Sequence, residues 1–177
     1  MKNCIAMLIL AALGGSWVSA QSPEESPDLS KVHNHVEISD RLTTSGQIRN
    51  QHLKSIKEAG FDVLVNLAPA DQKRNGQEGF LAVEQGLTYV QIPVDWRNPG
   101  QRDLDLFFAL MDANQDRKVY VHCFANMRVS VFVYLYRTLR QGVDEEAAWK
   151  DVLKVWDPSD QAQWKRFIEA AQKRSEQ

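Results

Sequence analysis

Cysteine is almost missing from this sequence: 177 residues contain two, Cys4 and Cys123. A scaffold held by internal disulfides is therefore excluded, and stability has to come from a packed core. A long basic run is missing too, and the formal charge is only −2. Nothing in that balance points to nucleic acid or to an anionic membrane surface. No internal repeat or low-complexity tract is present, which removes solenoid and fibrous classes. The longest apolar run, Cys4 to Leu13, has ten residues, far short of the ~20 needed to cross a bilayer. What the chain does have is 44% apolar and 25% charged residues, the composition of a globular domain.

The short apolar run has a context. Lys2 precedes it, and Gly14-Gly15-Ser16-Trp17 and the small residues Val18-Ser19-Ala20 follow. That is the layout of a secretory signal peptide over residues 1–20, with cleavage expected after Ala20 and a periplasmic or secreted product. Taking the first twenty residues away leaves 157, with 20 basic and 23 acidic side chains. The expected mature chain keeps one cysteine, Cys123, and no membrane span. Its lone thiol is either buried and inert or reactive, and function turns on which. Residues 21–34, polar and containing Pro23 and Pro27, read as a flexible leader, with order expected from about His35 through 177. One core of this length can bury ~70% of the unfolded surface, so a single domain suffices.

Val36 to Leu42 alternates as an edge strand does, and Thr43-Thr44-Ser45-Gly46 reads as a turn and helix cap. Ile48, Leu53 and Ile56 mark a short helix closed by Gly60. Phe61 to Leu67 is a nearly continuous apolar run, as expected of a parallel strand buried on both faces. A helix from about Glu78 to Gln85, a strand over Leu87–Ile92, a helix marked by Leu104, Phe107, Phe108 and Met111, and a strand over Lys118–His122 follow. Three helices end the chain: Met127–Arg140, Asp144–Val155, and Pro158–Gln172 with Asp157 as cap. Alternating strands and helices predict a three-layer α/β fold with a mostly parallel central sheet and helices on both faces. The last strand is expected in the interior, delivering Cys123 to the carboxyl edge of the sheet, where ligands bind in such folds.

The stretch His122-Cys123-Phe124-Ala125-Asn126-Met127-Arg128-Val129-Ser130 carries the chemistry. A loop from a strand end into a helix start directs several backbone N–H groups to one spot, and the helix dipole adds partial positive charge there. A cysteine in that field is favoured as a thiolate nucleophile. Arg128 brings a planar, two-pronged donor suited to phosphate.

This stretch resembles the signature of the cysteine-dependent protein tyrosine phosphatases, especially the small dual-specificity type. That signature reads His-Cys, five residues, Arg, then Ser or Thr. The segments Ile38 to Gln47, Val65-Asn66-Leu67 and Ile92-Pro93-Val94-Asp95-Trp96 are similar, in order and spacing, to a bacterial branch of that superfamily. The resemblance spans about Val36 to Trp156. It implies a phosphatase-like fold and hydrolysis of a phosphate monoester through a phosphocysteine, with no metal or other cofactor. It makes Cys123 the nucleophile and Arg128, with Phe124, Ala125, Asn126 and Met127, the phosphate cradle. Asp95 takes the place of the acid that protonates the leaving oxygen, and Ser130 that of the hydroxyl that helps the cysteine leave. The class of phosphorylated substrate and the oligomeric state are left open.

Only four residues separate Cys123 from Arg128 here, although Ser130 keeps its place seven after the cysteine. Either the arginine is displaced by one in a loop of usual length, or the loop is shorter. Asn126 stands at the offset of a glycine and is the residue that best replaces one at positive φ. The spacing leaves two alternatives: a catalytically impaired module that binds a phosphorylated or anionic ligand, and a rhodanese-like sulfurtransferase, whose loop is smaller. His122 alternates away from Cys123 along its strand and should support the loop from behind. His33 and His35 could share a metal but lack a third ligand, so a solvated segment is expected. Lys73, Arg74 and Arg97 are candidate recruiters of an anion, with solvated surface charge as the default. Asp103 and Asp105 suit the first turn of their helix as dipole partners. Trp149, Trp156 and Trp164 read as helix-packing anchors.

Overall fold

The computed structural model describes residues 27–175; the expected signal peptide and residues 21–26 of the expected leader lie outside them. Five strands form one sheet: β1 (Val36–Ser39), β2 (Leu42–Ser45), β3 (Val63–Asn66), β4 (Thr88–Gln91) and β5 (Val119–His122), in the order β1-β2-β5-β3-β4. β2, β5, β3 and β4 run parallel, and β1 is antiparallel to β2. The six helices are α1 (Asn50–Glu58), α2 (Glu78–Glu84), α3 (Gln101–Asp112), α4 (Met127–Leu139), α5 (Glu145–Leu153) and α6 (Ala162–Ser175).

The period-2 alternation of the central strands sorts the layers. Val63, Val65, Val119 and Val121 enter the larger core with α3 to α6, and Leu64 and Tyr120 enter the smaller one with Leu53, Ile56 and Ala82 of α1 and α2. Helices thus cover both faces, as the three-layer α/β expectation has it. α4 is buried from Arg128 through Tyr136. Its apolar residues run all around the axis, which suits a helix enclosed by β-sheet and other helices. Phe107, Phe132, Tyr136, Trp164 and Phe167 pack edge-on or stacked on one another at its flank. Truncating one of these rings costs about 3–5 kcal/mol.

The structure corrects four expectations. Val36–Leu42 is not one strand, because the chain reverses at Asp40–Arg41, and Thr43–Ser45 is a buried interior strand instead of a turn and cap. The β-branched threonines suit a strand, and the Thr44 and Ser45 hydroxyls are satisfied on the carbonyls of Val36 and Gly46. Residues 28–34 are part of the domain: Asp28 caps a 3-10 turn over Leu29–Lys31, Val32 is buried, and the His33 carbonyl accepts from the Gly46 N–H at 2.7 Å. Asp157 and Pro158 start a separate 3-10 turn, and α6 begins at Ala162. Asp105 pairs with Arg174, tying α3 to the end of α6, instead of serving the dipole of α3.

Candidate active site

β5 ends at His122 between β2 and β3, and Cys123 follows with its N–H on the Ser45 carbonyl at 3.3 Å. Residues 123–126 are the whole connection to α4, so Arg128 is the second residue of the helix. Asn126 sits in the left-handed region with φ 63, which lets the chain turn from strand to helix in so few residues.

The loop is held from behind. The Phe124 carbonyl accepts from the Gln47 N–H at 3.2 Å, and the Ala125 carbonyl from Asn34 Nδ2 at 3.0 Å. Asn126 Nδ2 donates to the Asn34 carbonyl at 2.7 Å and to Thr44 Oγ1 at 3.0 Å. A Cβ at Gly46 would lie 2.9 Å from the His33 carbonyl oxygen and 3.2 Å from that of Phe124, so only glycine permits this approach. With the carbonyls engaged on that side, the N–H groups of Phe124, Ala125, Met127, Arg128 and Val129 have no acceptor among the described residues, while the antiparallel bridge between Gly46 and Ala125 turns the Asn126 N–H toward the Ser45 carbonyl. Five free amides around a helix start form a candidate anion-binding cup.

Cys123 immediately precedes these amides and is fully buried as part of the larger core, with its sulfur in no hydrogen bond among the described residues. Arg128 stays beside the loop despite its place in the helix: Nε donates to the Val94 carbonyl at 3.0 Å, and the guanidinium carbon is 5.4 Å from the centre of the Trp96 ring and 5.9 Å from that of Phe124. Its two terminal nitrogens have no protein acceptor among the described residues, which leaves a fork free for an oxyanion. Asp95 follows Val94 directly and is exposed; Oδ1 accepts from the Arg97 N–H at 2.8 Å. Arg74 stacks on Phe124 at 4.5 Å, next to the cup, while Lys73 and Arg97 are exposed.

Ser130 is placed differently from expectation. Its hydroxyl donates to the Met127 carbonyl at 3.0 Å and accepts from the Trp156 indole N–H at 3.1 Å, and it makes no hydrogen bond to Cys123. Trp156 itself has left the helix and joins Trp96 and Trp164 in an aromatic cluster behind Arg128. Among the described residues, His33 and His35 belong to no group able to hold a metal ion.

His122, expected to support the loop from behind, is joined there by residues that carried no functional reading in the sequence. His122 faces away from Cys123, and its Nε2 lies 2.9 Å from Oε1 of Glu78, a buried carboxylate. The same oxygen accepts from Asn66 Nδ2 at 2.8 Å and the Tyr89 hydroxyl at 3.1 Å, and Oε2 accepts from Gln47 Nε2 at 3.0 Å. Burial first, and then the Glu78 charge, push the Tyr89 hydroxyl well above its ordinary value, so it remains a donor. His122, read as a support of the loop, and Asn66, polar within an apolar strand, were the visible signs of this cluster. Glu78 looked like any acidic residue in the first turn of a helix.

Comparison with known proteins agrees with this architecture. A family profile described as DSP-PTPase phosphatase fused to NAD+ kinase matches residues 22–175. No curated protein matches the sequence significantly. Among solved structures, a phosphatase-like DUF442 protein from Shewanella putrefaciens CN-32 is 32% identical, with a TM-score of 0.73 over 85% of this chain and 96% of that one. P. aeruginosa TpbA shares the fold at 17% identity, TM-score 0.64, over 82% and 88% of the two chains. The core catalytic domain of the PP-IP phosphatase SIW14 from S. cerevisiae does so at 14%, TM-score 0.64, over 78% and 85%. With a strand-to-helix cysteine loop of this kind and a profile match over nearly its whole length, the chain belongs to the DSP-PTPase phosphatase family fused, by its description, to NAD+ kinase.

Proposed function

We propose that the protein hydrolyses phosphate monoesters through a phosphocysteine on Cys123. The observation that carries this reading is the cup: five free amides and the open fork of Arg128 in the loop that follows a cysteine at the carboxyl edge of a parallel sheet. Such preorganised donors stabilise charge on the three non-bridging oxygens of a phosphoryl group in transfer. The Cys123 thiolate attacks phosphorus as the bond to the ester oxygen breaks, and Asp95 delivers its proton to that oxygen. Asp95 then takes a proton from water, the water oxygen bonds to phosphorus, the S–P bond breaks, and orthophosphate leaves with the thiolate restored. The N-terminal pattern makes the working compartment the periplasm or exterior, which N-terminal sequencing of the secreted protein starting at Gln21 would support.

A second reading is favoured by one observation. The Ser130 hydroxyl is engaged by Met127 and Trp156, so breakdown of a phosphocysteine lacks that help, and the cup would hold a phosphorylated or anionic ligand without turnover. Incubation with p-nitrophenyl phosphate decides. The hydrolase reading expects turnover that disappears in Cys123→Ser; vanadate binding without turnover supports the binding module. Thiocyanate formed from thiosulfate and cyanide would support sulfur transfer instead.

A further inference from the structure

Glu78 is the one carboxylate in the described residues that is almost wholly buried and surrounded by four donors, and it lies next to the cup without facing it. Two donors, Asn66 and Tyr89, come from β3 and β4. The other two, His122 at the end of β5 and Gln47 just after β2, flank the cysteine loop. His122 immediately precedes Cys123, and Gln47 holds the carbonyl of Phe124, the residue immediately after it, through its own backbone N–H.

We propose that Glu78 is a positioning residue that sets the geometry of the Cys123 loop, by fixing at once the residue before the cysteine and the clamp on the residue after it. The inference rests on the reading of Cys123 as the anion-facing nucleophile. A carboxylate only accepts, and four groups donate to this one, three on Oε1 and one on Oε2. His122 is thereby held with its hydrogen on Nε2 and its ring in one orientation, and the Gln47 side chain is pinned so that its N–H stays on Phe124. Both anchors flank a cup whose five free amides must converge on one oxyanion. No other side chain among the described residues reaches both. A buried carboxylate stripped of its charge would meet four donors with an amide that must turn two hydrogens toward some of them, leaving donors facing donors.

The test compares the wild-type chain with Glu78→Gln and Gln47→Leu. Gln47 is partly exposed, so its variant serves if Glu78→Gln fails to fold. Three quantities are read on folded protein: orthovanadate affinity by tryptophan quenching, kcat and KM for p-nitrophenyl phosphate, and the pH profile of kcat/KM. Positional errors of about 1 Å in such sites cost up to about a hundredfold. Expected are vanadate binding weakened about tenfold or more in Glu78→Gln, a larger loss in kcat than in KM, an acid limb displaced in the pH profile, and a smaller change of the same direction in Gln47→Leu. Variants that melt earlier but keep vanadate affinity and pH profile within twofold would reduce Glu78 to a packing role and overturn the proposal. Wild-type protein that binds no vanadate would instead overturn the nucleophile reading, and this inference with it.

Discussion

Arg128 and Val94 are joined by a hydrogen bond of 3.0 Å from Nε–H to the carbonyl oxygen, and Val94 is the residue before Asp95. The proposed phosphate clamp and the acid candidate are thus carried on one connection, with Trp96 packed against the guanidinium. Lysine has a single point of donation and cannot hold Val94 while also presenting two prongs to the cup. Arg128→Lys should lower kcat/KM for p-nitrophenyl phosphate by about 10²–10³, measured by steady-state kinetics beside a melting curve that shifts far less.

Asp95 is solvent-facing, and its Oδ1 is engaged by the Arg97 amide, so Oδ2 is the oxygen available for proton transfer. General-acid assistance matters most for a leaving group that departs poorly as an anion. Asp95→Asn should slow phenyl phosphate by about 10²-fold or more and p-nitrophenyl phosphate much less. Equal losses on the two esters would assign Asp95 to the loop turn alone.

The loop depends on Asn126 for both its turn and its attachment to Asn34 and Thr44. Asn126→Ala loses both hydrogen bonds and adds the cost of positive φ, whereas Asn126→Gly loses only the bonds. Urea unfolding should place the glycine variant above the alanine variant by about 1 kcal/mol, both below wild type. The reverse order would mean that the φ in solution is negative.

Two histidines make stability depend on pH. Burial, and for His52 also the nearby Arg49 charge, hold His52 below its ordinary 6.5; its Nδ1 accepts from the Arg49 N–H and so must be unprotonated. Burial also lowers His35, against the weaker pull of Glu37 and Asp28. A base depressed in the folded state binds protons more readily when unfolded. Its stabilisation is full above about pH 6.5 and is lost as pH falls toward the folded values. The urea midpoint should therefore drop between about pH 7.5 and 5.5, and His52→Asn should reduce that drop.

Much of this was legible in residue order. Phe61–Leu67 read as a doubly buried strand because its apolar run is continuous, and it is β3 with a parallel neighbour on each side. Leu104, Phe107, Phe108 and Met111 repeat at helical spacing and all are buried on α3. The Thr43–Ser45 segment misled because hydroxyl residues serve turns and interior strands alike, and only the pairing of β2 with β5 decides between them.

The sequence alone placed a cysteine and an acid beyond strand ends of an α/β fold and an arginine near the helix start that follows the cysteine, since hydrophobic periodicity and local turn chemistry act over a few residues. Tertiary structure decided what surrounds them. Asn34 reaches Asn126 across 92 positions and Glu78 reaches His122 across 44, and no local pattern announces such partners. Chain topology brings them together, and the need to satisfy buried donors and acceptors keeps them there.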